Sequence, residues 1–258
     1  MKKATDNAEK SSAALRVLSI LETVAGSSSP MTATEINHTL KLPKPTIHRL
    51  CLMLEKEGYL QPRLDGRGYL PGNRLSNMAM GVFSNNDHLR TERHAILQRL
   101  SDEVGETCNI SIPDGSEMIY FDRVETHWPL RVQLQINDRV PIYCTASGKL
   151  FLNNLPNAKR SRLIAKLKFS QLTPNTITDI ESLKAELKRI RREDIGVDNE
   201  EFMQGMIAVS VPLKNSEGQF YGALAMHAPN ARMSMEKALK QVPTLRAAAA
   251  ELVELIED

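Results

Sequence analysis

Cysteine is scarce in this chain of 258 residues: Cys51, Cys108 and Cys144 are the whole supply, and no two of them form a C-x-x-C pair. So few, so scattered, they exclude a disulfide framework and are expected to be reduced and buried. No apolar run approaches the roughly 18 residues of a membrane span, so no membrane partner is expected. The opening "MKKATDNAEKSS" has neither the apolar core nor the small-residue cleavage site of a secretory signal, which makes cytoplasm the expected location. Six histidines show no H-E-x-x-H and no Cys/His cluster, so neither a metal nor another cofactor is expected. "TASGKL" contains a Gly-Lys pair but lacks the flanking residues of a phosphate loop, since Tyr143 and Leu150 stand where Gly and Ser or Thr are needed. A charged fraction of 25% beside a hydrophobic fraction of 41% is ordinary for a globular protein, and the length suits a small domain followed by a medium one.

Charge is near balance overall, at +2, but unevenly placed. Residues 1–74 carry 11 Lys and Arg against 7 Asp and Glu, the remainder 22 against 24. In that basic front part Leu15, Leu18, Leu21 and Val24 recur at helical spacing after Ser11 or Ser12 as cap. "TATE", Thr32 to Glu35, has the spacing of a capping box and predicts a second, short helix with Ile36 and Leu40 inward. Pro43 and Pro45 then pre-set the entry of a third helix, whose buried stripe is Ile47, Leu50, Cys51 and Leu54. Lys44, Thr46, His48 and Arg49 are thereby crowded onto its exposed N-terminal half, the layout of a helix-turn-helix that enters a major groove. "GYLQPRLDGRGYLPG" adds an Asp-Gly hairpin whose Arg63 and Arg67 are placed for phosphates or a minor groove. Any one of these cations alone is better read as a solvated surface residue. The capped helix, the aimed helix and the basic hairpin together predict double-stranded DNA as partner, with Thr32, Thr34 and Pro45 beside Lys44, Thr46, His48 and Arg49 in the contact set.

These segments, "ALRVLSILETVA", "MTATEINHTLKLPKPTIHRLCLMLEKEGYL" and "GYLPGNRL", resemble the winged helix-turn-helix of the IclR family of bacterial transcription regulators. Members commonly carry serine where this chain has Pro45. "MIYFDRVET", "PIYCTASGKLFLNNLP", "IGVDNEEFMQGMIAVSVPL" and "GQFYGALAMHAP" resemble, in order, the family's GAF-like effector-binding half. The resemblance implies an α+β chain: a tail over 1–10, the DNA-binding domain over 11–72, a linker helix over 73–90 and a GAF-like domain over 91–258.

The residues between 95 and 258 are read as a helix to Val104, strands at "TCNISI", "MIYFDRV" and "LRVQLQI", then helices near 146–153, 158–167 and 179–192. Strands follow at "MIAVSVPLK" and "FYGALAMHA", and one long helix from Met235 to Ile256. By resemblance, a small carboxylate sits at the start of the helix opened by "TASGKL", on the amides of Ala146 and Ser147 with the hydroxyls of Thr145 and Ser147. Asp198 matches an acidic pocket position, Ala208 stands where many members have cysteine, and Ala225 and His227 where serines are frequent. Met206, Trp128 and Met226 are further wall candidates, each as readily a core residue. The family further implies a homodimer or homotetramer on a pseudo-palindromic operator, and an effector that is a carboxylate or aromatic acid from a catabolic pathway. Two rivals stand beside it. An enzyme would use Asp198, Glu200, Glu201 and His227, though no spacing joins them and no catalytic residue is expected. A sensor that binds protein in place of DNA leaves Arg63 and Arg67 unexplained.

Overall fold

The computed structural model describes residues 12–27, 29–63, 68–85, 87–131 and 133–257. The chain divides into two compact units, residues 1–86 and 87–258, with the division at 86/87 inside the span expected for the linker helix.

The first unit is built from local signals. Ser12 caps α1 (Ala13–Ala25) by accepting from the Leu15 amide at 3.2 Å. Thr32 and Glu35 close the capping box of α2 (Ala33–Leu40): the Glu35 amide donates to Thr32 Oγ1 and the Thr32 amide to Glu35 Oε2. Lys41 ends α2 in the left-handed region at φ 52°. Asn37 then locks the turn, its side-chain amide donating to the Leu42 carbonyl at 2.8 Å and its oxygen accepting from the Leu42 amide at 2.7 Å. Pro43 opens α3 (Lys44–Lys56), where Pro45 costs no helical hydrogen bond. Ile20, Val24, Ile36, Ile47, Cys51 and Leu54 form the core between the three helices. The hairpin strands β1 (Leu60–Pro62) and β2 (Tyr69–Pro71) pair antiparallel, and Met31 adds a bridge to Tyr69. The Asp65–Gly66 turn and Arg67 lie outside the described residues, as do residues 1–10. α4 (Asn73–Asn85) follows, buried at Leu75; the side chains of Val82 and Phe83 are outside the description too. Gly72 is required at its start, because a Cβ there would stand 2.3 Å from the Gly58 carbonyl oxygen.

The second unit is a six-stranded antiparallel sheet in the order β5-β4-β3-β8-β7-β6. α5 (Asp87–Val104) leads into β3 (Thr107–Asp114), β4 (Glu117–Val124) and β5 (Arg139–Pro141). α6 (Ala146–Asn154), α7 (Asn157–Ile164) and α8 (Ile180–Glu193) come next. β6 (Gly196–Asn199), β7 (Met206–Lys214) and β8 (Phe220–Pro229) complete the sheet before α9 (Met235–Lys240) and α10 (Val242–Glu257). One sheet face packs Val209, Val211, Leu224 and Met226 with Leu97 and Leu100 of α5 and Leu245 and Leu252 of α10. The other packs Met118 and Tyr120 with Leu150 and Leu152 of α6 and Leu183, Leu187 and Ile190 of α8.

Two expectations are corrected. "LRVQLQI" is no strand among its described residues: it belongs to the connection from β4 to β5, and Leu130 and Ile136 are 61% and 51% exposed. The edge of β4 is taken by Arg139–Pro141 in its stead, after a turn in which Asn137 has φ 75° and the Gln135 amide donates to Asp138 Oδ2. The closing helix is broken at Gln241, because Pro243 inside a continuous helix would clash with a carbonyl one turn back, whereas in the first turn of α10 it is tolerated.

Candidate functional site

In the first unit the exposed side of α3 carries Lys44, Pro45, His48 and Arg49, with Thr46 half-buried at its edge. Thr32 and Thr34 are exposed at the start of α2, and Arg63 is exposed at the end of β1, where its amide donates to the Gly68 carbonyl. The structure therefore gathers the residues read from sequence onto the start of α2, the first half of α3 and the hairpin. It also separates two of them. Arg49 lines an apolar groove between α1 and α3 with Ala14, Val17, Leu18 and Met53, while Lys44 and His48 lie away from that groove. Leu18 and Met53 on that groove are about half exposed, as are Leu15 and Leu52 on the same two helices, at 45–59%.

In the second unit the start of α6 is fixed from three sides. Thr145 caps it, accepting from the Gly148 amide at 3.3 Å and donating to the Pro141 carbonyl at 2.6 Å. Gly148 has no room for a side chain, since its Cβ would meet Ile142 Cα at 2.3 Å. Gly196 of β6 is pressed as closely, its Cβ direction meeting the Ala146 carbonyl at 2.1 Å. Ala146 and Ser147 are buried, and as first-turn residues their N–H groups have no helical carbonyl to bond. One turn on, Lys149 is fully buried; Nζ donates to Glu201 Oε1 and stands 3.4 Å from Glu186. Glu201 lies on the turn after β6, which Thr173 and Thr176 tie down by donating to the carbonyls of Glu200 and Glu201.

Register places the other residues. Asp198, Ala208 and His227 are cross-strand partners in one row over β6, β7 and β8. The adjacent row runs Gly196, Ser210, Ala225, Asn109 and Arg123 across five strands. Asp198 is 6% exposed; Oδ1 accepts from the Glu201 and Phe202 amides, at 2.8 and 3.3 Å. Burial, and then the nearby Glu201 charge, push its carboxyl up to about 7. Burial holds His227 neutral, pushed down to about 3 with help from the Arg123 charge. In the tautomer with its proton on Nε2, that nitrogen donates to Asn109 Oδ1, 2.5 Å away. Asp198, Ala208, Ala225 and His227 thus share one buried face with the start of α6. Met206 lies at the end of that face, half-buried, and Met226 points to the opposite core. Trp128 is not part of it: it is 55% exposed on the β4–β5 connection, with Arg232 over its ring at 5.4 Å. Cys108 and Cys144 are buried thiols pushed upward by burial, Cys144 to about 12, which leaves neither as a nucleophile.

Asn109, Ser111, Arg123 and Ser210 are the polar residues of this face that motif reading passes over. A signal was present in "TCNISI": Thr107, Asn109 and Ser111 alternate with Cys108 and Ile110, a polar period of two in a strand buried on both faces. Among the described residues Asn109 Nδ2, Ser111 Oγ and Ser210 Oγ have no hydrogen-bond partner.

A DNA-reading helix pair with a basic hairpin, followed by a sheet domain holding a polar buried face, defines a ligand-sensing regulator, and comparison with known proteins agrees. Residues 13–63 match the family model of the IclR helix-turn-helix domain, and residues 82–254 that of the bacterial transcriptional regulator IclR C-terminal domain. The chain belongs to the IclR family of bacterial transcriptional regulators. It is 42% identical to the probable transcriptional regulator SauR of Cupriavidus necator, over 93% of this chain and 95% of that one. The crystal structure of Thermotoga maritima IclR is similar at 26% identity and a TM-score of 0.62, covering 93% of this chain and 97% of that one. A double mutant of the PobR inducer-binding domain from Acinetobacter, in complex with 3-hydroxybenzoic acid, is similar at 29% identity and a TM-score of 0.58. It covers 63% of this chain and 96% of that one.

Proposed function

We propose that the chain binds a pseudo-palindromic operator as a dimer or dimer of dimers, and that a small carboxylate or aromatic acid, docked on the first turn of α6, changes its operator affinity. The observation that carries this reading is the buried, capped start of α6 beside Asp198, Ala225 and His227 in a domain of the IclR type. First-turn amides and the positive end of a helix favour an anion, and Asp198, whose carboxyl is pushed up to about 7, adds a donor in the fraction that holds its proton. The relative that holds 3-hydroxybenzoic acid supports an acid as ligand. On the DNA side, Lys44, Thr46, His48 and Arg49 of α3 read the major groove. Thr32 and Thr34 hold phosphates from the start of α2, and Arg63 and Arg67 reach the flanking backbone or minor groove.

The half-exposed Leu15 and Leu18 of α1 supply a surface for a second copy, together with α4. Ligand acts through differential affinity for two arrangements of the DNA-binding units, worth about 1–3 kcal/mol at the operator. The chain works by binding and not by catalysis, in the cytoplasm, and controls catabolic genes. Fluorescence anisotropy with fragments of its own genome, with and without a panel of organic acids, tests the reading. A preferred fragment whose affinity shifts with one class of acid is the expected result. Equal binding to random duplex, or no shift with any acid, refutes it.

A further inference from the structure

The middle of α3 carries an exposed leucine that belongs neither to the three-helix core nor to the groove beside α1. Leu52 is 59% exposed, whereas Ile47, Leu50, Cys51 and Leu54 of the same helix are buried. At 3.6 residues per turn it stands about 160° around the helix from both Leu50 and Leu54, so it points away from the core. The groove between α1 and α3 is lined from α3 by Arg49, Leu50 and Met53, and Leu52 is not one of its walls. Its neighbours are the residues of the DNA-facing side. Pro45, His48, Arg49 and Leu52 stand at i, i+3, i+4 and i+7, the spread that one face of a helix offers to a groove, and all four are exposed. His48 and Arg49 flank Leu52 one turn nearer the helix start, and exposed Lys56 stands one turn beyond it. An apolar side chain set between a guanidinium and an ammonium suits a polyanion with an apolar spot on its floor better than it suits an apolar partner surface.

The major groove has one such spot. Of the groups that base pairs present there, ring nitrogens, carbonyl oxygens and amino groups all form hydrogen bonds, and only the C5-methyl of thymine is apolar. A leucine set against a donor or acceptor strips it of water and offers no bond in return, which is unfavourable. Set against the methyl, it buries apolar area on both sides. We propose that Leu52 reads the sequence of bound DNA by packing on the C5-methyl of a thymine, so that this chain prefers an A·T pair of fixed orientation at that position. The proposal rests on the reading that α3, inside the matched helix-turn-helix, enters the major groove, and it adds to the polar contacts a residue that selects a base by apolarity alone.

The test isolates the methyl group. The full chain selects its preferred duplex from a random-sequence pool. Each thymine of that duplex is then replaced in turn by deoxyuridine, which keeps every hydrogen-bonding group and lacks the methyl. Fluorescence anisotropy should find a thymine whose replacement weakens binding about fourfold, the worth of one buried methyl group. In Leu52→Ala the loss at that position should shrink below about twofold, while the melting temperature holds because the side chain lies largely outside the core. If no thymine is sensitive to the exchange, or a sensitive one remains so in Leu52→Ala, the proposal is overturned; the major-groove reading of α3 then stands as long as Lys44→Ala still weakens binding. A pool that yields no preferred duplex overturns both.

Discussion

Asp198→Asn should make the second unit more stable at pH 8 and change its stability little at pH 4. Asp198 is 94% out of solvent contact by residue exposure and carries its carboxyl at about 7 in the folded chain against an ordinary 3.8. A folded state that holds the proton more tightly than the unfolded one gains stability from it below 3.8. That gain is lost as pH rises towards 7, after which no further loss occurs. Three pH units at about 1.4 kcal/mol each bound the effect at on the order of 4 kcal/mol. Asparagine is neutral throughout and its oxygen still accepts from the Glu201 and Phe202 amides. The stability difference between variant and parent should therefore climb between about pH 4 and pH 7 and then level off. Carboxylates held down in the folded state, such as Glu125 and Glu186, lose stability in acid, but equally in both proteins, so the difference reports Asp198 together with Glu201, whose charge acts on it. Urea unfolding read by the single tryptophan, Trp128, which lies in the second unit, measures it. Parallel pH profiles for the two proteins would refute the assignment of a proton to Asp198.

Lys149→Met should destabilise the second unit by about 3–5 kcal/mol, because Glu201 is left buried without its cation; adding Glu201→Gln should restore most of that. Urea titration of both variants checks it, and a double variant no better than the single one counts against a coupled pair. Thr145→Val should cost about 1–2 kcal/mol by removing the cap on Gly148 and the bond to Pro141, and should weaken acid binding with it. Thermal melts and calorimetry read the two effects. On DNA, Lys44→Ala should weaken operator and scrambled duplex alike and flatten the salt dependence, as a phosphate contact does. Arg49→Ala should cost about 1–3 kcal/mol on the operator and relax preference at one base position if its head reads a base edge. Arg49 also covers the groove between α1 and α3, so an equal loss on both duplexes with a lower melting temperature would assign it to packing.

What could be read from the chain was what short-range physics writes. The capping box at Thr32 and Glu35, the prolines at the entry of α3 and the stripe Ile47, Leu50, Cys51 and Leu54 each depend on residues within one or two turns, and each stands where the spacing put it. The lock of Asn37 on Leu42 was not legible, because nothing in one asparagine tells a turn clamp from a solvated side chain. The β4–β5 connection was misread for a related reason: "LRVQLQI" alternates like a strand, but pairing is a competition for the β4 edge, and Arg139–Pro141 hold it.

The buried face shows the limit most clearly. In regular alternation Tyr120 and Arg123, three residues apart, belong on opposite faces of β4. The register shift between Ile110 and Ser111 changes that: Tyr120 pairs with Ser111 and Arg123 with Asn109, so both face α6, while Phe121 and Asp122 face the α5 side together. One extra residue in a strand thus turns an arginine that would lie on the α5 side into a wall of the polar face. Asp122, turned the other way, takes Arg93 of α5 at 2.8 Å instead. The bulge is a tertiary fact with no local signature in "MIYFDRV". The charge on that face was therefore present in the sequence from the start, while its direction was not.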